Sequence, residues 1–364
     1  MAKQSRLRAF TLVELLVACT ILVILLVALG SLSTGSTNLL RSTSEKAEQF
    51  REARAALDSI QQTLSQATLN TYWDYKRTTA SAPPSAYIRQ SELRFISGPA
   101  GTLELSSALV ANSAFSTHAA FFQAPLGVVS DAASYGNMRG LMNTCGYYVA
   151  FASDAALRPT FLTSAVPARY RYRLMEVRQP ADKLSLYNYT SGVDGTGQPK
   201  TGSYTGKEWF KEAVSAPALQ AAPQILAENV IALVILPQLS QADQTKLTQT
   251  SGKTYNANSL APTYLYDSTG AGMAATVTDK NLNPTNQLPP VVQITLVAID
   301  EASAARITNA AGNDPQLTAG LFTDPGNYAA DLQTLQDTLN ARRIKYRVLN
   351  TKFNLLASKW SASQ

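Results

Sequence analysis

From Phe10 to Leu32 the sequence FTLVELLVACTILVILLVALGSL runs for 23 residues with one charged side chain, Glu14. About 20 apolar residues rising 1.5 Å each span the hydrocarbon core of a bilayer, so this stretch is long enough to cross a membrane as one helix. Lys3, Arg6 and Arg8 precede it, and no Lys or Arg follows until Arg41. That asymmetry holds a short N-terminus on the cytoplasmic side and places the bulk of the chain beyond the membrane. The same three residues supply half of the net charge of +6, so the remainder is close to balanced and shows no clustered basic motif. Nucleic acid is not an expected partner on that ground.

A secretory signal peptide also has a basic start and an apolar middle, and Ala28-Leu29-Gly30 would serve as a small-residue cleavage site. Two observations weigh against this alternative. The apolar core of a signal peptide is typically about 7 to 15 residues, shorter than the run here. Glu14 is also out of place, because an ionised carboxylate within a membrane segment costs roughly 2.5 to 3.5 kcal/mol on insertion scales. Such a residue needs a partner.

The segment Ala9-Phe10-Thr11-Leu12-Val13-Glu14 resembles the type IV prepilin cleavage and methylation motif, in which a short basic leader ends at a small residue followed by Phe-Thr-Leu-x-Glu. The resemblance implies that a prepilin peptidase cuts between Ala9 and Phe10, methylates the new amine of Phe10 and leaves a mature chain of 355 residues. Ala9 departs from the glycine usual before the cut, which implies slower processing. An α-amino group with a pKa of about 7.7 to 8.0 is largely cationic, and methylation keeps that charge, so it can pair with a carboxylate in lipid. Within one subunit the amine and the positive helix end lie within reach of Glu14. In the family the matching glutamate engages the amine of a neighbouring subunit, which makes Glu14 the expected registration residue for assembly. The partners implied are prepilin peptidase, other pilins or pseudopilins and an inner-membrane assembly platform. The implied location is the inner membrane, single-pass, with a periplasmic head and fibre association after assembly.

The organisation expected is a leader over 1–9, a membrane helix over 10–32, an amphipathic continuation over 33–70 and a β-rich head over 71–364. No proline interrupts Thr37 to Leu69, and Ala47, Phe50, Ala53, Leu57, Ile60, Leu64 and Ala67 recur at spacings of three and four. That is one apolar stripe, with Arg51, Glu52, Arg54 and Asp58 outside it. A coiled-coil seam is the alternative, but fewer than four heptads with alanine at three positions make a weak zipper. Gly30 and Gly35 mark a junction where a helix can bend.

Beyond Thr71 short β-branched or alternating runs are separated by Pro, Gly, Ser and Asn. Strands are expected at Leu93 to Ile96, Thr102 to Leu105, Tyr147 to Phe151, Tyr170 to Val177, Leu184 to Tyr187, Val230 to Leu236, Val291 to Ile299 and Lys345 to Leu355. Gly192 to Gly206 and Gln238 to Thr285 are expected as polar surface insertions. Asp331 to Arg343 carries leucines at helical spacing. The fold class is α+β and pilin-like, a long N-terminal helix packed on an antiparallel or mixed sheet with long loop insertions.

The blocks RYRLMEVRQPADKLSLY, ILAENVIALVIL and LPPVVQITLVAID resemble, more loosely, the minor pseudopilin J of type II secretion. Large prepilin-like proteins of the Verru_Chthon cassette type are a further resemblance.

No constellation for catalysis, cofactor or metal emerges. His118 is the only histidine and stands beside Ala119, Ala120, Phe121 and Phe122, the setting of a packed residue more than of a catalyst. Gly252-Lys253-Thr254 ends like a phosphate-binding loop, but Leu247 stands where that loop requires glycine, so it reads as a turn. Asp279, Asn281 and Asn283 imitate the first ligands of a calcium loop, yet Pro284 and Pro290 occupy its glycine and glutamate positions. Cys19 and Cys145 are too few for a metal quartet and an implausible disulfide. Tyr170, Arg171, Tyr172 and Arg173 alternate, which gives an aromatic and a cationic strand face. The cationic face is either a solvated edge or an exposed row that meets an acidic neighbour in a fibre.

The function these readings support is non-enzymatic: a minor pseudopilin built into a type II secretion pseudopilus or type IV pilus-like fibre, with its large head at or near the tip. The rival is a type IV pilus minor pilin whose head acts as an adhesin or DNA-uptake subunit.

Overall fold

The computed structural model describes residues 12–76, 82–105, 115–155, 161, 167–184, 186, 208–215, 223–270, 280–308 and 312–360. The chain divides into two compact units, Met1–Gln49 and Phe50–Gln364. One helix, α1 (Leu12–Ser65), enters both. Among its side chains those of residues 13–15, 18, 28 and 31–49 lie outside the described ones.

Among the described residues every strand pairing of the second unit is antiparallel. A six-stranded sheet has the order β7-β6-β5-β4-β3-β9, formed by β3 (Ile96–Pro99), β4 (Phe115–Ala124), β5 (Asn143–Ser153), β6 (Tyr170–Gln179), β7 (Gln224–Glu228) and β9 (Tyr266–Asp267). A three-stranded sheet has the order β11-β10-β8, from β8 (Val230–Gln238), β10 (Val291–Ile299) and β11 (Tyr346–Asn354). A separate ribbon pairs β1 (Tyr72–Lys76) with β2 (Ala86–Gln90). Described helices of this unit besides α1 include α2 (Ala132–Tyr135), α3 (Trp209–Ser215), α4 (Gln241–Ser251), α5 (Glu301–Ile307) and α6 (Tyr328–Ala341).

The apolar stripe of α1 does what its spacing requires. Ala53, Leu57, Ile60, Leu64 and Ala67 are buried in the main core, together with Ala56, while Phe50 packs on its margin. Polar side chains beside the stripe anchor the helix to both sheets: Gln61 Oε1 accepts from Thr351 on β11 at 2.8 Å, and Glu52 Oε1 accepts from the backbone of Glu228 on β7 at 3.1 Å. The helix therefore seats on sheet and does not form a zipper. It ends at Ser65, five residues before the expected limit of 70.

The two sheets are joined in two ways. Strands β7 and β8 are separated only by Asn229, whose φ of 59° turns the chain from one sheet into the other, a conformation asparagine tolerates. Its N–H reaches Tyr172 O at 2.8 Å and its carbonyl accepts from Ile299 at 2.9 Å. The second junction lies at a bulge in β4, where pairing with β5 shifts between Ser116 and Ala119. There three consecutive side chains bond to alternate residues of β8: Ser116 Oγ donates to Ile231 O at 2.8 Å, Thr117 Oγ1 accepts from Leu233 N at 2.9 Å, and His118 Nδ1 accepts from Ile235 N at 3.0 Å. Side chains thereby occupy the edge of β8 that β10 leaves open.

An aromatic core fills the six-stranded sheet. Gly146 stands opposite Phe121, and a Cβ there would come within 2.2 Å of the Phe121 ring. The absence of a side chain lets Phe121 lie across β5 and stack on Phe210 of α3 with centroids 4.8 Å apart.

Several expectations are corrected. Residues 101–104 are turn, not strand, with Glu104 at φ 53°. The segment 238–285 is not a surface insertion: it holds α4, supplies edge strand β9 and buries Leu260, Ala261, Tyr264 and Tyr266. Its polar composition masked a few widely spaced apolar anchors. At Leu184 to Tyr187 the described residues are not strand, and Gly192 to Gly206 lies outside the described residues. Of the strand expected at Leu93 to Ile96 only Ile96 is strand, at the start of β3, and strands β1, β2, β4, β7 and β9 were not anticipated.

Candidate processing and assembly segment

Ala9 and Phe10 lie outside the described residues, as does the side chain of Glu14. What is described of this region is the helix that follows them. Leu16, Val17 and Leu29 are exposed, and so is every residue from Ile21 to Val27. Consecutive residues advance about 100° around a helix, so seven in a row cover every azimuth nearly twice. The helix is apolar all round, which is the pattern of a buried or membrane-embedded helix and not of one that faces water on one side. At about 1.5 to 3 kcal/mol per large apolar side chain, these seven alone represent on the order of 10 kcal/mol of burial not realised within the chain. Thr20 does not break the pattern, because its hydroxyl donates within the helix, to Val17 O at 2.8 Å or Leu16 O at 3.1 Å, and so requires no water. Among the described residues no helix is long and apolar enough to cross a membrane; the span expected over 10–32 rests on the full sequence, part of which lies outside that description.

The other singled-out residues are structural. Arg171 and Arg173 do not form an exposed cationic row: they are 7% and 1% exposed. Arg171 pairs with Glu301 at 2.7 Å and donates to Thr308 Oγ1 at 2.8 Å. Arg173 donates to Ala152 O at 2.8 Å and lies 3.4 Å from Glu228 and 3.9 Å from Asp154. Glu301 also accepts from Asn229 Nδ2 at 2.8 Å, so this cluster braces the sheet junction and has no charge left for a neighbour. On the opposite face Tyr172 packs on Phe151 with centroids 4.8 Å apart and donates to Asp314.

His118 is fully enclosed. Since Nδ1 accepts from Ile235, the proton resides on Nε2, which donates to Phe322 O at 2.9 Å. Burial lowers its pKa to about 4 against the opposing pull of the Phe322 and Ile235 carbonyls, which leaves it neutral and fixed. Gly252 caps α4 at φ 70°, the turn expected there. Asn281 donates to Tyr255 at 3.3 Å and Asn283 accepts from Thr285 N at 2.9 Å; Asp279 lies outside the described residues. Among the described residues no group of three His, Cys, Asp or Glu is placed to hold a metal. Both cysteines are free, and burial raises the Cys145 thiol to about 12.

One feature escaped the sequence reading. The ribbon β1–β2 exposes Trp73, Tyr75 and Tyr87; the alternation in YWDYK and AYIRQ is the signal that marks it.

Residues 5–30 match the family model of the prokaryotic N-terminal methylation motif. No curated protein and no solved structure matches the chain. That motif, which here includes a helix apolar on every side, is the motif of type IV pilin-like and pseudopilin substrates of prepilin peptidase.

Proposed function

We propose that this protein is a minor pseudopilin-like subunit, cut between Ala9 and Phe10, N-methylated on Phe10 and built through its N-terminal helix into a pseudopilus or pilus-like fibre. The observation that carries the reading is the juxtaposition of the methylation motif at 5–30 with a helix whose described apolar side chains are exposed all round. Such a surface calls for lipid before assembly and for the helices of other subunits after it. Residues 10–32 cross the inner membrane in this reading, with the N-terminus cytoplasmic and the head periplasmic. Glu14 offsets its burial in lipid by pairing with the Phe10 amine of a neighbouring subunit. A head of this size is hard to repeat along a tightly wound fibre, which favours the tip. The blocks similar to minor pseudopilin J, now seen to lie largely on β6, β7, β8 and β10, favour a secretion pseudopilus over a pilus adhesin. The reading gives the chain no enzymatic role.

Mass spectrometry of the mature N-terminal peptide from native membranes tests it. A start at N-methylated Phe10 is expected. A start near Ser31 would mean an ordinary secreted protein, and retention of Met1 a simple membrane anchor; either overturns the proposal.

A further inference from the structure

The ribbon β1–β2 pairs with neither larger sheet. Its register sets Trp73 opposite Arg89 and Tyr75 opposite Tyr87, so these four residues share one face and Tyr72, Asp74 and Ile88 share the other. On the shared face Trp73, Tyr75 and Tyr87 are 60%, 47% and 63% exposed. The Arg89 guanidinium lies 5.5 Å from the Trp73 ring centre, and the two tyrosine rings are 4.9 Å apart. This is a preformed platform, not a loose hairpin. Arg89 Nη1 donates to Gln287 Oε1 at 2.8 Å and to Lys359 O at 3.3 Å, and Asn286 Nδ2 donates to Arg89 O at 2.7 Å.

Those bonds tie the platform to a cavity of about 230 Å³ lined by Asn70, Thr71, Arg89, Asn286, Gln287 and Lys359. Among the described residues neither Arg89 nor Lys359 has a carboxylate partner, whereas the buried arginines Arg94, Arg171 and Arg173 all do. Flat aromatic faces beside a polar pocket with two uncompensated cations suit a ligand of apolar ring faces and sparse negative charge. The cavity is smaller than the roughly 300 to 1,000 Å³ of sites that enclose a drug-sized ligand. It admits one ring of a chain whose other rings lie on the platform. A single-stranded nucleic acid calls for a cationic groove that follows several phosphates, and here Arg89 and Lys359 line one cavity.

We propose that this face binds an acidic saccharide, with pyranose rings stacked on Trp73, Tyr75 and Tyr87 and a carboxylate held in the cavity by Arg89 and Lys359. The site belongs to the head and is independent of how the N-terminus is processed.

The test is calorimetric titration of the full chain, in a zwitterionic detergent without a sugar headgroup, with a guluronate hexasaccharide, a neutral glucose hexasaccharide and a 20-nucleotide thymidine strand. Saturable binding of the guluronate is expected, at least tenfold tighter than the neutral sugar. Trp73→Ala, Tyr87→Ala and Lys359→Gln are each expected to weaken it tenfold or more with an unchanged melting temperature, since all three side chains are on the surface. Absence of saturable binding, equal binding of the neutral sugar, tighter binding of the thymidine strand, or unaltered binding by the folded variants overturns the assignment. Concentration-dependent self-association abolished by Trp73→Ala, without sugar binding, would reassign the face to a second copy of this chain.

Discussion

Ser116, Thr117 and His118 carry the junction between the sheets on three side chains, and the backbone there is held out of its ordinary range. Thr117 has a φ of 57°, a conformation that is a genuine outlier for a β-branched residue, and its hydroxyl bonds both the N–H and the carbonyl of Leu233. His118 is locked by two hydrogen bonds and by an edge-on contact with Tyr264 at 4.5 Å between ring centres. The folded imidazole protonates only near pH 4, while in the unfolded chain it does so near its ordinary value of 6.5. The unfolded state therefore binds the proton first. Stability from this residue is fully present above about pH 6.5 and declines as the pH falls toward 4, by on the order of 3 kcal/mol. Denaturant titrations at pH 7.5, 5.5 and 4.5 will show a fall that His118→Gln removes. Because this is the only histidine, an unchanged slope in the variant would assign the effect to carboxylates.

At the scale of elements, a buried charge pair secures a strand too short to secure itself. β9 has two residues, and its Asp267 receives Arg94 through two bonds, Nε to Oδ1 at 3.1 Å and Nη2 to Oδ2 at 2.6 Å. Arg94 also lies over the Phe210 ring at 5.4 Å. Asp267→Ala strands the guanidinium in the core and is expected to cost about 3 to 5 kcal/mol. Hydrogen exchange around Tyr266 should accelerate with it; a stability loss below 1 kcal/mol would show that water reaches Arg94. Along α1, Ile60 is fully buried, and Ile60→Ala is expected to cost about 2 to 5 kcal/mol from lost burial and the cavity left behind. Arg54→Ala on the outer face of the same helix should change stability by less than about 0.5 kcal/mol, and chemical denaturation of the pair separates packing from helix propensity.

For the whole molecule the prediction concerns assembly. Glu14→Ala removes the one carboxylate of the apolar run, so insertion should persist or improve while fibre incorporation falls at least tenfold relative to total membrane-bound protein. Glu14→Asp, which retains the charge on a shorter side chain, should recover part of it. Equal incorporation of Glu14→Ala and the unaltered chain would remove Glu14 from the assembly contact.

Much of this molecule was legible along the chain because its signals are local. The prepilin-like motif is a contiguous string, the α1 stripe recurs at helical spacing, and β6, β8, β10 and β11 are apolar or alternating runs found within two residues of their expected limits. What tertiary structure decided is where polar groups go. Arg171 and Arg173 read as a solvated or docking face until Glu301, Glu228 and Asp154, distant in sequence, close over them. The stretch 238–285 read as surface until Tyr264 and Tyr266 proved to be core. His118 gained its role from β8, more than a hundred residues away. Periodicity records which side chains avoid water, a property each residue carries with it. Whether a charged or hydrogen-bonding group is satisfied inside depends on partners that only the folded chain brings within 3 Å.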